Sequence, residues 1–196
     1  MTAICIIPAR GNSQRIPKKN IKHFFGSPII SASIVRAQES QCFERIVVST
    51  DDDYIAKVAE YYGAEAHKRT AYYAQDEVGT QEVMGKVLAD LDYRGPLACC
   101  LYPCAPLLVS ADFVQPYRWL QDDDKISYVM SVGAHPLRDA GAFYFGRTGA
   151  FRSGMDLITQ YTKLYVLPER RICDINTPED FSRAEKMYKE LWNLNE

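Results

Sequence analysis

Long apolar runs and an excess of charge of either sign are missing from this sequence, and each absence excludes a class of protein. No apolar stretch approaches the roughly 18 to 20 residues that a membrane-spanning helix needs. The first eleven residues, MTAICIIPARG, are too short for a signal peptide. The formal net charge is only −2, with 23 Lys and Arg against 25 Asp and Glu. We therefore expect no membrane and no nucleic acid among the partners, and any anion binding must be local.

Metal-binding and disulfide patterns are also absent. Three of the six cysteines lie within ACCLYPCAP (98–106), and no pair has C-x-x-C spacing. The three histidines, His23, His67 and His135, are far apart in the sequence, which argues against a zinc cluster. Reduced cysteines that act as small core residues are the simplest interpretation. They predict a cytoplasmic location.

The order of apolar patterns predicts an α/β fold. Short apolar runs typical of buried strands occur at 3–9, 45–50 and 97–102. Helical periodicity separates or follows them at 27–40, 52–63 and 80–91. This alternation implies right-handed βαβ units and a mostly parallel, twisted sheet. With 196 residues and no repeat or linker, the chain is expected to form a single domain, residues 1–196.

The second half has a different order. Strand-like segments lie at 127–132, 140–147 and 163–168. A helix is predicted at 110–120, where Pro116 should kink or end it. The clearest helix is 177–192, with Thr177 as its cap, Pro178 in the first position and Asp180 completing a capping box. For the helix at 27–40, Ser27 is the expected cap, followed by Pro28.

The segment IPARGNSQRIPKKNIK (Ile7–Lys22) contains five basic residues and no acid. It follows the first predicted strand, and ligands of open α/β sheets bind beyond the carboxyl ends of the strands. Gly11 permits a close approach of the backbone, Asn12 and Ser13 can turn the chain, and the cations suit phosphate oxygens. Neither G-x-x-x-x-G-K-[ST] nor G-x-G-x-x-G is present. The loop predicts a phosphate-rich small molecule, most simply a nucleotide; the alternative is a solvated basic loop.

This loop resembles the N-terminal signature of the sugar-acid cytidylyltransferases, which make CMP-activated sialic acids and their bacterial relatives. The similarity continues in the family's order through ERIVVSTDDDYIAKVAEYYGAE, GTQEV, CCLYPCAPLL, DAGAFYFGR and CDINTPEDF. CCLYPCAPLL and DAGAFYFGR most resemble the branch that activates pseudaminic acid for flagellin glycosylation. The resemblance implies a Rossmann-like nucleotidyltransferase fold of three αβα layers.

The resemblance also implies a reaction and a cofactor. The anomeric hydroxyl of a nonulosonic acid, a nine-carbon sugar acid, would attack the α-phosphorus of CTP and release pyrophosphate, with Mg²⁺ as the cofactor. Catalysis would consist of positioning and of neutralising charge on the leaving pyrophosphate. The family also implies a homodimer.

Site residues follow from the resemblance position by position. The catalytic set is Arg10, Lys19 and Asp174. Asp174 and Asn176 would hold the metal, and Tyr102 and Arg138 would contact the sugar. The nucleotide contacts would be Ala9, Arg10, Gly11, Asn12, Ser13, Arg15, Lys19, Asn20, Arg69, Gly79, Thr80 and Gln81.

Three departures from the family pattern leave other functions open. Gln14 replaces a usual Lys in the phosphate loop, and Asn176 replaces the second carboxylate of a D-x-D. Relatives have about thirty residues or more where 133–139 form a connection of ordinary hairpin length, and this shortening would weaken a dimer. The alternatives are a CTP-binding module of the same fold with weak or no transferase activity, and a transferase for sialic, legionaminic or a ketodeoxyoctonic acid.

Overall fold

Strands of the computed structural model, which describes residues 3–194, form one seven-stranded sheet and a small separate hairpin. The sheet order is β5-β4-β1-β6-β8-β7-β9, and only β8 runs against the other six strands. The mostly parallel sheet predicted from the sequence is confirmed. The strands are β1 (Ala3–Pro8), β2 (His23–Phe24), β3 (Ser27–Pro28), β4 (Arg45–Thr50), β5 (Glu65–Lys68), β6 (Leu97–Leu101), β7 (Tyr128–Ala134), β8 (Leu137–Arg147) and β9 (Thr162–Val166).

Helices cover both faces of the sheet, because successive side chains of the central strands point to opposite sides. In β1, Cys5 and Ile7 pack with α1, α2 and α4, whereas Ile4 and Ile6 pack with α3 and α5. This is the three-layer αβα arrangement that was expected. No helix within residues 3–194 is long and apolar enough to span a membrane. The helices are α1 (Ile30–Ser40), α2 (Asp53–Tyr61), α3 (Thr80–Asp90), α4 (Ala111–Asp122), α5 (Thr148–Arg152) and α6 (Pro178–Trp192).

One helix prediction is corrected. Ser27 and Pro28 do not begin α1, because they form β3 and pair with β2; Ile29 then donates its amide to the Lys22 carbonyl at 3.0 Å. Pro116 lies inside α4, which continues to Asp122, so the proline does not end the helix and the predicted kink stays a prediction. The five-residue helix α5 was not predicted, because it is too short to show a helical period.

The connection between β7 and β8 is a hairpin with a two-residue turn. Ala134 pairs with Leu137, so only His135 and Pro136 lie in the loop. The hairpin length expected for 133–139 is confirmed. β8 begins three residues earlier than the sequence pattern indicates, since its first residues are exposed and carry no apolar alternation.

A hydrophobic cluster joins the basic loop to the C-terminal helix. It buries Ile16 of the loop, Phe24 of β2, Ile175 of the segment before α6, and Phe181 of α6. The ring of Phe24 contacts the ring of Phe181 edge-to-face at 5.7 Å. The cluster therefore fixes the segment 173–177 beside the loop at 8–22.

The start of α6 completes this connection. Thr177 Oγ1 accepts a hydrogen bond from the Asp180 amide at 3.2 Å, and Asp180 Oδ2 accepts from the amides of Thr177 at 2.9 Å and Asn176 at 3.0 Å. The predicted capping box is confirmed.

Replacing Thr177 by Ala should lower the free energy of unfolding by about 0.5–2 kcal/mol, because one amide of the first turn loses its acceptor. Urea denaturation followed by circular dichroism measures the difference. Ser182→Ala, on the exposed surface of the same helix, is the matched control, and its free energy of unfolding should not fall. Equal stability of both variants would show that the capping box does not hold α6.

Candidate nucleotide-binding site

A cavity of about 300 Å³ opens where β1, β4, β5 and β6 end. These parallel strands bring their following segments to one edge of the sheet, as expected for a ligand site in an α/β fold. Among the residues predicted for function, those that line the cavity are Arg10, Ser13, Arg15, Lys19, Asn20, Arg69, Thr80, Tyr102, Asp174 and Asn176.

The basic loop is pinned to the end of β4. The Gly11 amide donates to Asp51 Oδ1 at 2.9 Å, and the Ala9 amide donates to the Ser49 carbonyl at 2.9 Å. A Cβ atom on Gly11 would lie 2.7 Å from the Cβ of Asp52. Glycine is therefore required at this close approach. Ala9, Gly11 and Asn12 shape the loop but are not among the cavity-lining residues within 3–194.

Asn20 holds the loop in position from below. Its side chain is buried, and its Nδ2 donates to the Arg10 carbonyl at 2.9 Å. The thiol of Cys104 donates to Asn20 Oδ1 at 3.4 Å. Burial raises the pKa of Cys104 to about 12, so this thiol is neutral and not a nucleophile near pH 7. A contact between Asn20 and a nucleotide stays a prediction, since the amide is already used to brace the loop.

The C-terminal segment 174–176 faces the loop cations. Lys19 Nζ donates to the Ile175 carbonyl at 2.7 Å, and Arg15 Nη2 donates to Asn176 Oδ1 at 2.9 Å. Asn176 Nδ2 in turn donates to Asp174 Oδ2. The cavity thus has cationic groups on one side and the Asp174 carboxylate on the other.

Gly141 of β8 lies directly behind Asp174. Its φ of +60° favours glycine, and a Cβ there would come within 3.2 Å of Asp174 Cγ. The close packing of this strand leaves the carboxylate at the cavity wall.

Arg10 already has an anionic partner within the protein. It forms an ion pair with Asp76, and Gln14 Nε2 donates to Asp76 Oδ2 at 3.2 Å. Sequence reasoning missed Asp76. It lies 62 residues from Gln14 along the chain, in a polar segment without a motif, so only the folding of the chain shows that it faces Arg10.

Arg69 is the most deeply buried cation of the cavity, with 7% of its surface exposed. Nη1 donates to the Tyr73 carbonyl at 3.3 Å, but Nε and Nη2 are buried without a hydrogen-bond partner among residues 3–194. Burial lowers the pKa of Arg69, and nearby Arg10 lowers it further, whereas Asp51 opposes the shift. Buried donors without acceptors are costly, so this guanidinium is suited to a ligand that supplies oxygen or nitrogen acceptors.

Tyr102 and Thr80 form the opposite wall. The Thr80 hydroxyl and the Tyr102 hydroxyl are 3.0 Å apart, and the Tyr102 ring contacts Tyr144 edge-to-face at 5.8 Å. Burial raises the pKa of Tyr102 to about 12. The phenol is neutral near pH 7 and is available as a hydrogen-bonding group rather than as a base.

Three further predicted residues, in addition to Ala9, Gly11 and Asn12, lie outside the cavity lining. Gly79 and Gln81 border a separate, open depression beside α5, where Gln81 Nε2 donates to the Met155 carbonyl. Arg138 lies in the β7–β8 hairpin, and its Nη2 pairs with Glu169 Oε2 at 2.7 Å. Glu169 and the carbonyls of His135 and Pro136 accept hydrogen bonds from its guanidinium, and a contact between Arg138 and the sugar stays a prediction.

Comparisons with solved structures identify the fold, and the family model identifies the class of protein. The structure of a CMP:2-keto-3-deoxy-manno-octonic acid synthetase complexed with CTP superposes with a TM-score of 0.78 at 14% identity, over 97% of this chain and 99% of the other. The fold is that of the nucleotidyltransferases. The cytidylyltransferase family model matches residues 4–143, and the chain belongs to this family of enzymes.

Two of the sequence relatives come from Campylobacter jejuni serotype O:2. A pseudaminic acid cytidylyltransferase is 32% identical over 225 residues, covering 96% of this chain and 97% of the relative. A CMP-N,N'-diacetyllegionaminic acid synthase is 44% identical over 86 residues, covering 43% of this chain and 37% of the relative. The first alignment has more positions than this chain has residues, so the relative has residues without a counterpart here.

Arg69→Met should separate ligand binding from stability. The free energy of unfolding should not fall, because the lost guanidinium is buried with two unmatched nitrogens. Nucleotide binding should weaken about tenfold or more, since hydrogen bonds from a charged donor contribute about 1.5–3 kcal/mol. Urea denaturation and calorimetric titration with CTP measure the two effects.

Arg147→Met is the matched control. The Arg147 guanidinium donates to the carbonyls of Leu120, Asp123 and Ile126 at 2.9–3.0 Å. Its loss should lower stability and leave CTP affinity unchanged. If Arg69→Met lowered the free energy of unfolding and left CTP affinity unchanged, Arg69 would be a structural residue rather than a ligand contact.

Proposed function

We propose that this enzyme transfers CMP from CTP to the anomeric hydroxyl of a nonulosonic acid and releases pyrophosphate. Pseudaminic acid is the sugar acid that the resemblance over nearly the whole chain supports best. The observation that carries the proposal is a single cavity in which the basic loop, the unmatched guanidinium of Arg69 and the Asp174 carboxylate meet. A pyrimidine nucleoside triphosphate complements all three.

The base and ribose of CTP belong at Arg69. Cytosine offers acceptors on its carbonyl oxygen and ring nitrogen, and ribose offers hydroxyl oxygens. Nε and Nη2 of Arg69 need such acceptors in a buried position. A bound nucleoside would satisfy them and exclude water from the guanidinium.

The triphosphate belongs along the basic loop. Arg10, Arg15 and Lys19 line the same cavity, and the Ser13 hydroxyl lies between them in sequence. Guanidinium groups bind phosphate oxygens with two parallel hydrogen bonds, and the Lys ammonium acts as a compact charge. These three cations would neutralise the charge that develops on the departing pyrophosphate.

A divalent cation, in our proposal Mg²⁺, fits the donor set at Asp174. Mg²⁺ binds through one or two carboxylates together with substrate phosphates rather than in an all-protein cage. Asp174 supplies such a carboxylate at the cavity wall, and no group of three or more His, Cys, Asp or Glu residues converges anywhere in the described part of the chain. Asn176 is the second proposed ligand through its amide oxygen, which would exchange its hydrogen bond from Arg15 for the ion. The ion would supply charge neutralisation at the phosphates.

The sugar acid belongs beside Tyr102 and Thr80, next to the Asp174 wall. Because Tyr102 and Cys104 are both neutral near pH 7, these side chains would orient the acceptor hydroxyl rather than remove its proton. The CMP-activated product is a glycosyl donor, which we propose serves bacterial surface or flagellin glycosylation in the cytoplasm. The proposal includes a homodimer. Its interface would be weaker than in relatives, because the β7–β8 connection is short.

Two chemical features favour a second candidate, a CTP-binding module with weak or no transferase activity. Gln14 brings no positive charge to the phosphate loop and instead binds Asp76. Asn176 brings no second carboxylate to the metal. A third candidate, a transferase for a sialic, legionaminic or ketodeoxyoctonic acid, differs only in the sugar.

Pyrophosphate release with CTP and Mg²⁺ tests these candidates over a panel of pseudaminic, legionaminic, N-acetylneuraminic and ketodeoxyoctonic acids. We expect release with pseudaminic acid, together with a CMP-sugar detected by mass spectrometry. Release with another acid alone would transfer the proposal to that sugar. If calorimetry showed CTP binding but no sugar acid gave pyrophosphate release, the protein would be a CTP-binding module without transferase activity.

Asn176→Asp should tighten Mg²⁺ binding, because it places a second carboxylate next to Asp174. Calorimetric titration with Mg²⁺ in the presence of CTP measures the change. Asn193→Asp, at the far end of α6, adds the same charge away from the cavity and should have no effect. An unchanged Mg²⁺ affinity in Asn176→Asp would place residue 176 outside the metal's ligands.

A further inference from the structure

Two carboxylates line the cavity, and the proposed function uses only Asp174. The other, Asp76, lies on the segment 70–79 between β5 and α3, and it is exposed at the cavity rim. It forms an ion pair with Arg10 and accepts a hydrogen bond from Gln14 at 3.2 Å. An acidic side chain is thus bound by two residues of the loop that is proposed to bind phosphates.

The Asp76 carboxylate binds Arg10 in the way that a phosphate group of a ligand would. A carboxylate on a guanidinium makes the same charge-assisted hydrogen bonds as a phosphate oxygen. Arg10 can direct its fork toward Asp76 or toward a phosphate, but it cannot give the same donors to both. A negative charge at the cavity rim would also repel a triphosphate at short range. Asp76 and the phosphates therefore compete for Arg10.

The segment that carries Asp76 is lightly anchored. Tyr73 and Val78 are its residues that pack against the core cluster beneath α3, while Gln75, Asp76 and Glu77 are exposed. A short 3₁₀ turn, Tyr72–Ala74, is its regular structure. Release of Asp76 would therefore free the exposed stretch without disturbing the sheet.

We propose that Asp76 is an internal competitor of the substrate phosphates, and that it keeps the segment 70–79 closed on Arg10 until a polyphosphate displaces it. The proposal rests on the proposed function in one respect, that the loop binds the phosphates of CTP. Because Arg69 and Thr80 flank the same segment, displacement of Asp76 by the phosphates would be coupled to the residues at the base and the sugar.

Asp76→Asn tests the competition, with Glu77→Gln as the matched control. Both changes remove one negative charge from neighbouring exposed positions and keep the side-chain shape. Calorimetric titrations use inorganic pyrophosphate, CTP and cytidine as probes. An exposed ion pair contributes up to about 1 kcal/mol, so Asp76→Asn should bind pyrophosphate and CTP about three- to fivefold more tightly. Cytidine affinity should not change, because cytidine has no phosphate, and Glu77→Gln should behave like the wild type.

Hydrogen–deuterium exchange gives a second readout without any ligand. In Asp76→Asn, amides of the segment 70–79 should exchange faster than in the wild type, since the contact that closes the segment is lost. Exchange in β1 and β6 should remain the same, which reports that the variant is folded.

Several outcomes would overturn the proposal. Unchanged or weaker pyrophosphate affinity in Asp76→Asn would do so, and weaker binding of all three probes would make Asp76 a nucleotide contact. If Glu77→Gln bound pyrophosphate and CTP as tightly as Asp76→Asn, the effect would come from the change in net charge and not from the contact between Asp76 and Arg10. If the wild type bound neither pyrophosphate nor CTP, the proposal would also be refuted. If the wild type binds pyrophosphate but not CTP, the proposed function fails, and the pyrophosphate series still decides the role of Asp76.

Discussion

The contact between Lys19 and the Ile175 carbonyl, 2.7 Å long, joins parts of the chain that are 156 residues apart, and the site depends on it. Ile16 and Ile175 are buried together beside Phe181, so hydrophobic packing holds the same junction. Without this junction, the basic loop would lose both its hydrophobic packing and the Lys19 hydrogen bond to the segment 173–177. Asp174 would then have no fixed distance from the cations that share its cavity.

Electrostatics in this enzyme are local rather than global. A chain with net charge −2 concentrates several cations at the end of β1 and buries one more, Arg69, with two unmatched nitrogens. Such a group lowers stability unless a ligand pairs with it, so the free protein accepts a cost that a nucleotide bound as proposed would relieve. Arg10 avoids the same cost because Asp76 and Gln14 complete a small polar network at the rim.

Sequence reasoning recovered the elements whose signals are local. The buried strands, the capping box at Thr177 and the hairpin length of 133–139 each depend on a few neighbouring residues. It placed Ser27 and Pro28 in a helix because their local preference favours one, whereas pairing with β2 holds them in an extended strand. The resemblance places Arg138 at the sugar, which stays a prediction, whereas its ion pair with Glu169, 31 residues away, is seen only in the folded chain.

The sequence by itself determined that a basic loop follows the first strand of an α/β fold, because composition, spacing and periodicity are properties of adjacent residues. Only the tertiary structure decided which side chains face that loop. Asp76, Tyr102 and Asp174 reach the cavity because parallel strands bring their carboxyl ends to one edge and because β8 packs Gly141 against Asp174. Such contacts join residues that no local pattern relates, and their geometry is fixed by packing and by hydrogen bonds across the sheet.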